Sequence, residues 1–590
     1  MTEPVLNISQ SVSLQAWKFR CDDEAQIDAL VQQAGLDQLT ARLLAGRNID
    51  PDGVDRFLTP KLRDQMPDPS SLEDMDKAAS LILDAVQARK KITVFADYDV
   101  DGGTSAAQLI RWGRALGAEF GLYVPDRIKE GYGPSVEAFK TLKANGTDLV
   151  ITVDCGAAAH APLHEAVDLD LPIIVVDHHL MEGDMPPSAA LVNPNRPDDE
   201  SELGHLAAAG VTFLLVAALN REARRRGLET AVNPMDLLGL TALGTICDVM
   251  PLTGLNRVFA AQGLKMLSKG NIVGLSALAD TAEIKPPYTT YHAGFILGPR
   301  INAGGRIGRA DMGAELLSTE NSQLAYGHAA ELDRVNQERK LMQDDILREA
   351  MTQVASDHDE EGLIIASMEG WHPGVIGIVA GRLKDRFNRP SIVIAIDDEG
   401  IGKGSGRSIK GVDLGGAIVA AKKEGLLEAG GGHAMAAGLT VQADRVSELW
   451  EFLNESLQAD ITAARANLGL RVDSLLSPSA VSQGLMETIN KVGPFGAGNP
   501  APVFVFPDLR INYAQRLRGG HVRCSFTDSS GARVNGICFG ADENGLSDIL
   551  LSSTNPVLHV AGRLKQDRWQ GRNQITLNVV DLALSEPHFS

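Results

Sequence analysis

Short apolar runs at residues 92–96, 120–124, 149–153 and 173–176 each end in polar or Gly-rich residues, with amphipathic stretches between them. That rhythm belongs to βαβ units and predicts a mostly parallel sheet covered on both faces. Residues 204–320 read as mainly helical. Beyond them Leu332, Val335, Met342 and Ile346 recur about every 3.5 residues along a highly charged stretch, which predicts a long connecting helix ending near residue 356. A second α/β unit follows, with strands at 363–366 and 391–396, a Gly-punctuated helix between them and a Gly-Gly-Gly-His turn at 430–433. Runs at 503–506, 522–526, 557–561 and 574–580, parted by Gly and Asn, predict a small β-barrel of the OB type. The first 74 residues mix helical pattern with Pro-Asp breaks and are expected to be a helical lead-in without chemistry. The expected architecture is α/β multidomain, divided at 1–74, 75–320, 321–356, 357–462 and 463–590.

Composition narrows the class. A chain of 590 residues, 44% apolar and 22% charged, is too long for one core and too apolar for a disordered or collagen-like chain. With 55 basic and 76 acidic residues the net charge is −21, so any polyanion site has to be a local patch. Such a patch exists: between residues 510 and 575 nine Lys/Arg face five Asp/Glu, a local charge of +4. The five cysteines are scattered and form no C-x-x-C, which fits a reducing cytoplasm. The apolar stretch 206–219 is interrupted by Gly210 and Thr212 and is too short to span a bilayer, so no membrane association is expected.

The densest chemistry lies at the ends of the apolar runs. Residues 92–96 lead into Asp97-Tyr98-Asp99-Val100-Asp101-Gly102-Gly103; 149–153 lead into Asp154-Cys155-Gly156; 173–176 lead into Asp177-His178-His179. Residues two apart in an extended segment project to one side, so Asp97 and Asp99 can face a common site at the carboxyl edge of the sheet, where open α/β folds place ligands. One D-x-D could be a helix cap; three strands delivering acids to one edge are harder to explain that way. Asp248, in Gly244-Thr-Ile-Cys-Asp-Val-Met-Pro251, can reach the same rim. Crowded carboxylates repel unless cations offset them. Oxygen ligands with an imidazole or two suit two Mn2+ or Mg2+ ions, the arrangement used for phosphoryl displacement.

These four segments, in this order, resemble the motifs of the DHH phosphoesterase superfamily. Gly298-Pro-Arg300-Ile-Asn302-Ala-Gly-Gly-Arg306, Trp371-His372-Pro-Gly, Gly402-Lys-Gly-Ser405-Gly-Arg407-Ser and Gly430-Gly431-Gly432-His433 resemble its RecJ branch, single-strand-specific 5′ to 3′ DNA exonucleases. The resemblance implies a DHH domain, a DHHA1-type phosphate-binding domain and an OB-type domain. It makes Asp97 and Asp154 ligands of one metal and Asp99, Asp154, His178 and Asp248 ligands of the other, with Asp154 bridging and His179 facing the scissile phosphate. The pyrophosphatase branch has a metal-binding His four residues before its first Asp; here that position is Thr93. Ser405, Arg407, Gly431, Gly432 and His433, set in Gly-rich turns, together with Arg300, Arg306 and Arg127, are the candidates for holding phosphate. Phe526, Phe539 and Trp569 in the basic barrel are candidates for stacking on bases. The implied substrate is single-stranded DNA with a 5′ end, cut to 5′-mononucleotides in repair and recombination. A single-strand-binding protein and a helicase are the implied partners, and a monomer the implied state. Two alternatives carry different marks: a phosphodiesterase for short oligonucleotides or pyrophosphate would lack the basic barrel, and a non-catalytic strand-binding scaffold would have lost the acids.

Overall fold

The computed structural model describes residues 3–127, 129–181, 183–228, 232–356, 362–569 and 572–585. The chain divides into two compact units. One comprises Leu58–Arg339 with Gly493–Pro500; the other comprises Met1–Phe57, Lys340–Val492 and Ala501–Ser590.

In the first unit a five-stranded, wholly parallel sheet runs Gly121–Tyr123, Ile92–Ala96, Leu149–Val153, Ile173–Val176, Ala190–Val192 across its width. The expected α/β architecture is present, and three of the predicted strands match to the residue. Strands buried on both faces have to be apolar throughout, which is why these runs do not alternate. On one face the core is built with helices Met75–Gln87, Val100–Ala115, Ala208–Arg225 and Pro234–Cys247; on the other, helices Val136–Ala144 and His160–Asp168 contribute Phe139, Leu142 and Leu163. Trp112 is fully buried, and its indole N–H donates to Asn220 Oδ1 at 3.0 Å, so the polar edge of the ring stays satisfied inside the core.

The long helix Ser322–Ser356 continues from this unit into the other, burying Leu332, Val335 and Ile346 along one stripe. The second unit has its own five-stranded sheet, in the order Ala429–His433, Ala436–Gln442, Ile401–Arg407, Ser391–Ile396, Ile364–Glu369, with only the last pair parallel. Here the Gly-rich segments 402–407 and 430–433, expected as turns, are strands. The reason is steric. Cβ atoms on Gly402, Gly404 and Gly406 would stand 2.7 Å from Ile394, Leu439 and Leu414, so glycine at every second position lets the strand lie close against the core.

The C-terminal strands form the expected OB-type barrel: Phe504–Leu517, His521–Thr527, Arg533–Cys538, Arg572–Leu584 and Leu558–Trp569 follow in order, and the last pairs back to the first. The N-terminal residues are built into it. Strand Ala16–Phe19, not anticipated from local pattern, pairs in parallel with Gly469–Val472. Trp17 is fully buried with Val472, Val503 and Val505, and its indole N–H donates to the buried Asp581 carboxylate at 2.8 Å. Arg20 and Arg47 in turn meet the buried Asp473 at 3.0 and 3.4 Å. Among the described residues no helix is long and apolar enough to cross a membrane.

Candidate metal centre

Three acids stand in register because the sheet ladder runs one residue past each strand. The backbone N–H groups of Asp97, Asp154 and Asp177 donate to Val153 O, Val176 O and Val192 O at 3.3, 3.0 and 3.0 Å, which places the three residues in one row along the carboxyl edge. Asp154 takes φ +60°, a conformation Asp tolerates better than most residues. Asp99 caps helix Val100–Ala115, its Oδ1 accepting from the N–H groups of Asp101 and Gly102 at 2.8 and 3.1 Å. A Cβ on Gly102 would stand 2.4 Å from Asp97 O, so this Gly is what lets the helix start against the strand end. Capping and membership of the acid cluster are therefore compatible in one residue.

Three overlapping groups of ligand atoms lie within 4.8 Å of one another: Asp97, Asp99 and Asp154; Asp154, His178 and His179; Asp101, His178 and Asp248. His178 Nε2 lies 3.3 Å from Asp154 Oδ1, 3.6 Å from Asp248 Oδ2 and 3.8 Å from Asp101 Oδ2. The structure thus brings together the residues expected to hold cations, Asp97, Asp99, Asp154, His178 and Asp248, with His179 beside them. It adds Asp101, a buried residue whose oxygens accept from Ala208 N–H and Ala209 N–H at 2.7 and 2.9 Å, tying it to the start of helix Ala208–Arg225.

The electrostatics are those of a crowded, dry acid cluster. Burial first and neighbouring carboxylates second push Asp97, Asp101 and Asp154 well above the ordinary carboxylate range, and the same causes bring Asp248 to about 7. Burial and the His179 charge hold His178 down at about 4. Asp177 behaves oppositely. Burial alone would raise it, but bonds from His179 Nδ1 at 2.7 Å and from the N–H groups of His178, His179 and Ala157 outweigh that and bring it to about 2. Burial alone would lower His179; its bond to Asp177 raises it instead. Asp177 thus orients a histidine, and its place directly before the His pair was the available signal for that role. Tyr132, which is not among the sequence candidates, places its hydroxyl 3.1 Å from His179 Nε2.

The residues fit a pair of hard cations on an observation independent of any likeness: Asp97 Oδ1 and Asp248 Oδ2 are buried and accept no hydrogen bond among the described residues. Orphaned buried carboxylate oxygens are costly, and a cation relieves that cost. Thr93 is buried and hydrogen-bonded through its side chain to Thr147 Oγ1 at 3.0 Å, so it adds no ligand to the cluster.

Of the anion-binding candidates in this unit, Arg127 lies with its guanidinium 5.2 Å from the Tyr98 ring centre, and its charge reaches Asp97. Arg306 acts electrostatically on Tyr98 from helix Gly298–Ile307. A Cβ on Gly305 would stand 2.8 Å from Tyr98 O, so the helix lies close. Arg300 is engaged elsewhere, by Asp333 at 2.8 Å and by the Ile296 carbonyl.

In the second unit the strand register puts Arg407, Ala436 and His433 in one row and Ser405, Gly438 and Gly431 in the next, on one face of the sheet. Arg407 Nη1 donates to Ser405 Oγ at 3.1 Å, and Gly377, in the first turn of helix Ile376–Phe387, lies over both. A Cβ on Gly431 would meet nothing within 4 Å, leaving the floor of this face open. Gly432 sits in the alternate register, opposite Ala437, with its backbone against Ala436 O.

On the barrel, a groove is lined by Tyr513, Arg523, Asn535, Phe539, Lys565 and Gln574, among others. Phe539 is 53% exposed and available to a base; Phe526 is fully buried in the barrel core, which removes it from the stacking candidates. The alternation of Val522, Cys524 and Phe526 along strand His521–Thr527 points all three inward. The side chain of Trp569 lies outside the described residues.

Three family models match the chain: the DHH family N-terminal domain over residues 91–245, the DHHA1 domain over 360–459 and the RecJ OB domain over 472–581. The single-stranded-DNA-specific exonuclease RecJ of Bacillus subtilis (strain 168) is 34% identical over 579 residues, 97% of this chain and 71% of the relative. Among solved structures, RecJ from Thermus thermophilus in complex with Mn2+ superposes with a TM-score of 0.77 at 29% identity, covering 95% of this chain and 78% of that one. The complex of that protein with Mg2+ gives 0.71 at 28% identity, covering 95% and 77%.

Proposed function

The chain belongs to the RecJ family of single-stranded-DNA-specific exonucleases, and from that premise we propose that it removes mononucleotides from the 5′ end of single-stranded DNA by two-cation hydrolysis of the phosphodiester bond. The observation that carries the chemistry is the buried acid cluster with two carboxylate oxygens, on Asp97 and Asp248, that accept no hydrogen bond among the described residues. In this reading Asp97 and Asp154 hold one ion, and Asp99, Asp154, His178 and Asp248 hold the other. Mn2+ or Mg2+ bound there supplies Lewis acidity toward water and toward the phosphate oxygens. His179, oriented by its bond to Asp177 and with Tyr132 at its Nε2, faces the scissile phosphate. Arg127 and Arg306, gathered at Tyr98, neutralise the backbone of the entering strand.

The face carrying Ser405, Arg407, Gly431, Gly432 and His433 takes the 5′-terminal phosphate, which gives the enzyme its polarity. The barrel groove at Phe539, Arg523 and Lys565 binds single strand by stacking and phosphate contacts. A cytoplasmic monomer working beside a single-strand-binding protein and a helicase, in repair and recombination, is the setting that this activity implies. Asp154→Ala tests the chemistry: turnover should fall by several orders of magnitude while single-strand binding by the barrel persists. Substantial residual turnover would overturn the two-cation reading.

A further inference from the structure

The segment Gly493–Pro500, Gly-Pro-Phe-Gly-Ala-Gly-Asn-Pro, lies between elements of the barrel unit in sequence but packs with the unit that carries the acids. It seats on the chain that follows Asp248. Ala497 O accepts the Leu252 N–H at 2.7 Å, Gly493 O accepts from the buried Arg257 Nη2 at 2.7 Å, and Phe495 O accepts from Thr290 Oγ1 at 2.7 Å. The segment is itself a tight hairpin, closed by reciprocal Gly496 and Asn499 backbone bonds and by Asn499 Nδ2 to Pro494 O at 2.9 Å. The approach is close: a Cβ on Gly496 would stand 2.7 Å from Leu252 Cδ1, and one on Gly498, at φ +69°, 2.8 Å from Pro251 Cβ.

What it grips is a strained turn. Helix Pro234–Cys247 ends at Asp248, and the chain then passes through Val249 at φ +59°, with Met250 N–H donating to Thr245 O. This is the position that glycine normally fills at a helix C-terminus, and a β-branched residue is strongly disfavoured there. Such a conformation persists only where its surroundings over-determine it. Val249 is 70% exposed, so its own side chain contributes little of that restraint. The restraint lies at Pro251 and Leu252, held by the hairpin and by Asn256 Nδ2 on Pro251 O at 3.2 Å.

We propose that the Gly493–Pro500 hairpin is a positioning clamp for Asp248: by fixing Pro251–Leu252 it holds the left-handed turn at Val249, and with it the Asp248 carboxylate beside His178. The clamp rests on the reading of Asp248 as a cation ligand. The test uses the full chain, free of DNA, and reads Mn2+ binding by calorimetry together with kcat and KM on an oligonucleotide. Gly498→Ala, which crowds Pro251, and Thr290→Val, which removes a single hydrogen bond, should each weaken Mn2+ binding, by on the order of tenfold for the former, as loss of an outer support typically does. Both should lower kcat more than they raise KM. Val249→Gly in the Gly498→Ala background should restore most of the Mn2+ affinity, because glycine takes the turn unaided. Folded loop variants that bind Mn2+ like the wild type, or a Val249→Gly that restores nothing, would overturn the clamp. Asp248→Ala separates the two readings: unchanged Mn2+ binding there refutes the ligand assignment itself, whereas lost binding beside wild-type loop variants refutes only the clamp.

Discussion

Replacing Asp248 by asparagine should stabilise the metal-free protein and at the same time reduce its stabilisation by Mn2+. Burial, then the charge of Asp99, lifts the Asp248 carboxyl from 3.8 to about 7. A carboxyl whose folded value lies above its unfolded value binds its proton more tightly in the native state. Its contribution is therefore fully present at low pH and is lost as pH rises from about 4 to about 7. Roughly three units at about 1.4 kcal/mol each give about 4 kcal/mol as a ceiling, which proton uptake by neighbouring acids reduces. Asparagine carries neither the charge nor the penalty. In chelator at about pH 7 the variant should melt above the wild type, and its melting temperature should vary less between about pH 5 and 8. Mn2+ should raise the wild-type transition more than that of the variant, which keeps only the Asp97 and Asp154 ion. Differential scanning calorimetry with and without Mn2+ reads both effects. A metal-free variant melting below the wild type at about pH 7 would show that Asp248 carries no buried-charge penalty, and an equal response of both proteins to Mn2+ that it is no cation ligand.

Other consequences are as concrete. Trp17→Phe removes the donor to buried Asp581 and should lower stability by about 1.5–3 kcal/mol, read as a lower urea midpoint of the barrel transition; an unchanged midpoint would contradict the N-terminal strand as part of that fold. Arg407→Ala should lower the preference for a 5′-phosphorylated over a 5′-hydroxyl end by about 1.5–3 kcal/mol, measured by competition, with Mn2+ binding spared. Phe539→Ala should weaken binding of long single strands by about 1–3 kcal/mol, whereas Phe526→Ala should destabilise the barrel itself, a contrast that filter binding and thermal melts resolve.

The sequence makes the metal edge legible because a strand buried on both faces leaves a continuous apolar run, and the first polar residue after it marks the edge. Asp97, Asp154 and Asp177 are found that way. Asp101 is harder to see, since its partners Ala208 and Ala209 are more than 100 residues away and carry no polar side chain. Glycine misleads in the second unit: in 402–407 it signals a turn by propensity, while the structure uses its missing side chain for close packing, with Ser405 and Arg407 left on the opposite face. The alternation Gly-Lys-Gly-Ser-Gly-Arg is the period-2 pattern that could have identified the strand. Strand Ala16–Phe19 and the hairpin Gly493–Pro500 are invisible locally for another reason, since both are fixed by partners more than 200 residues distant.

End-labelled digestion separates cation-dependent hydrolysis from the 5′ end from every other mode of cleavage. A single-stranded oligonucleotide carrying its label at the 5′ or the 3′ end is incubated with the full chain and Mn2+, and products are followed in time. The 5′ label should appear at once as mononucleotide, the 3′ label should stay on progressively shorter strands, and digestion should stop in chelator and in Asp154→Ala. Release of 3′ label first, internal cleavage, or undiminished digestion in chelator would contradict it.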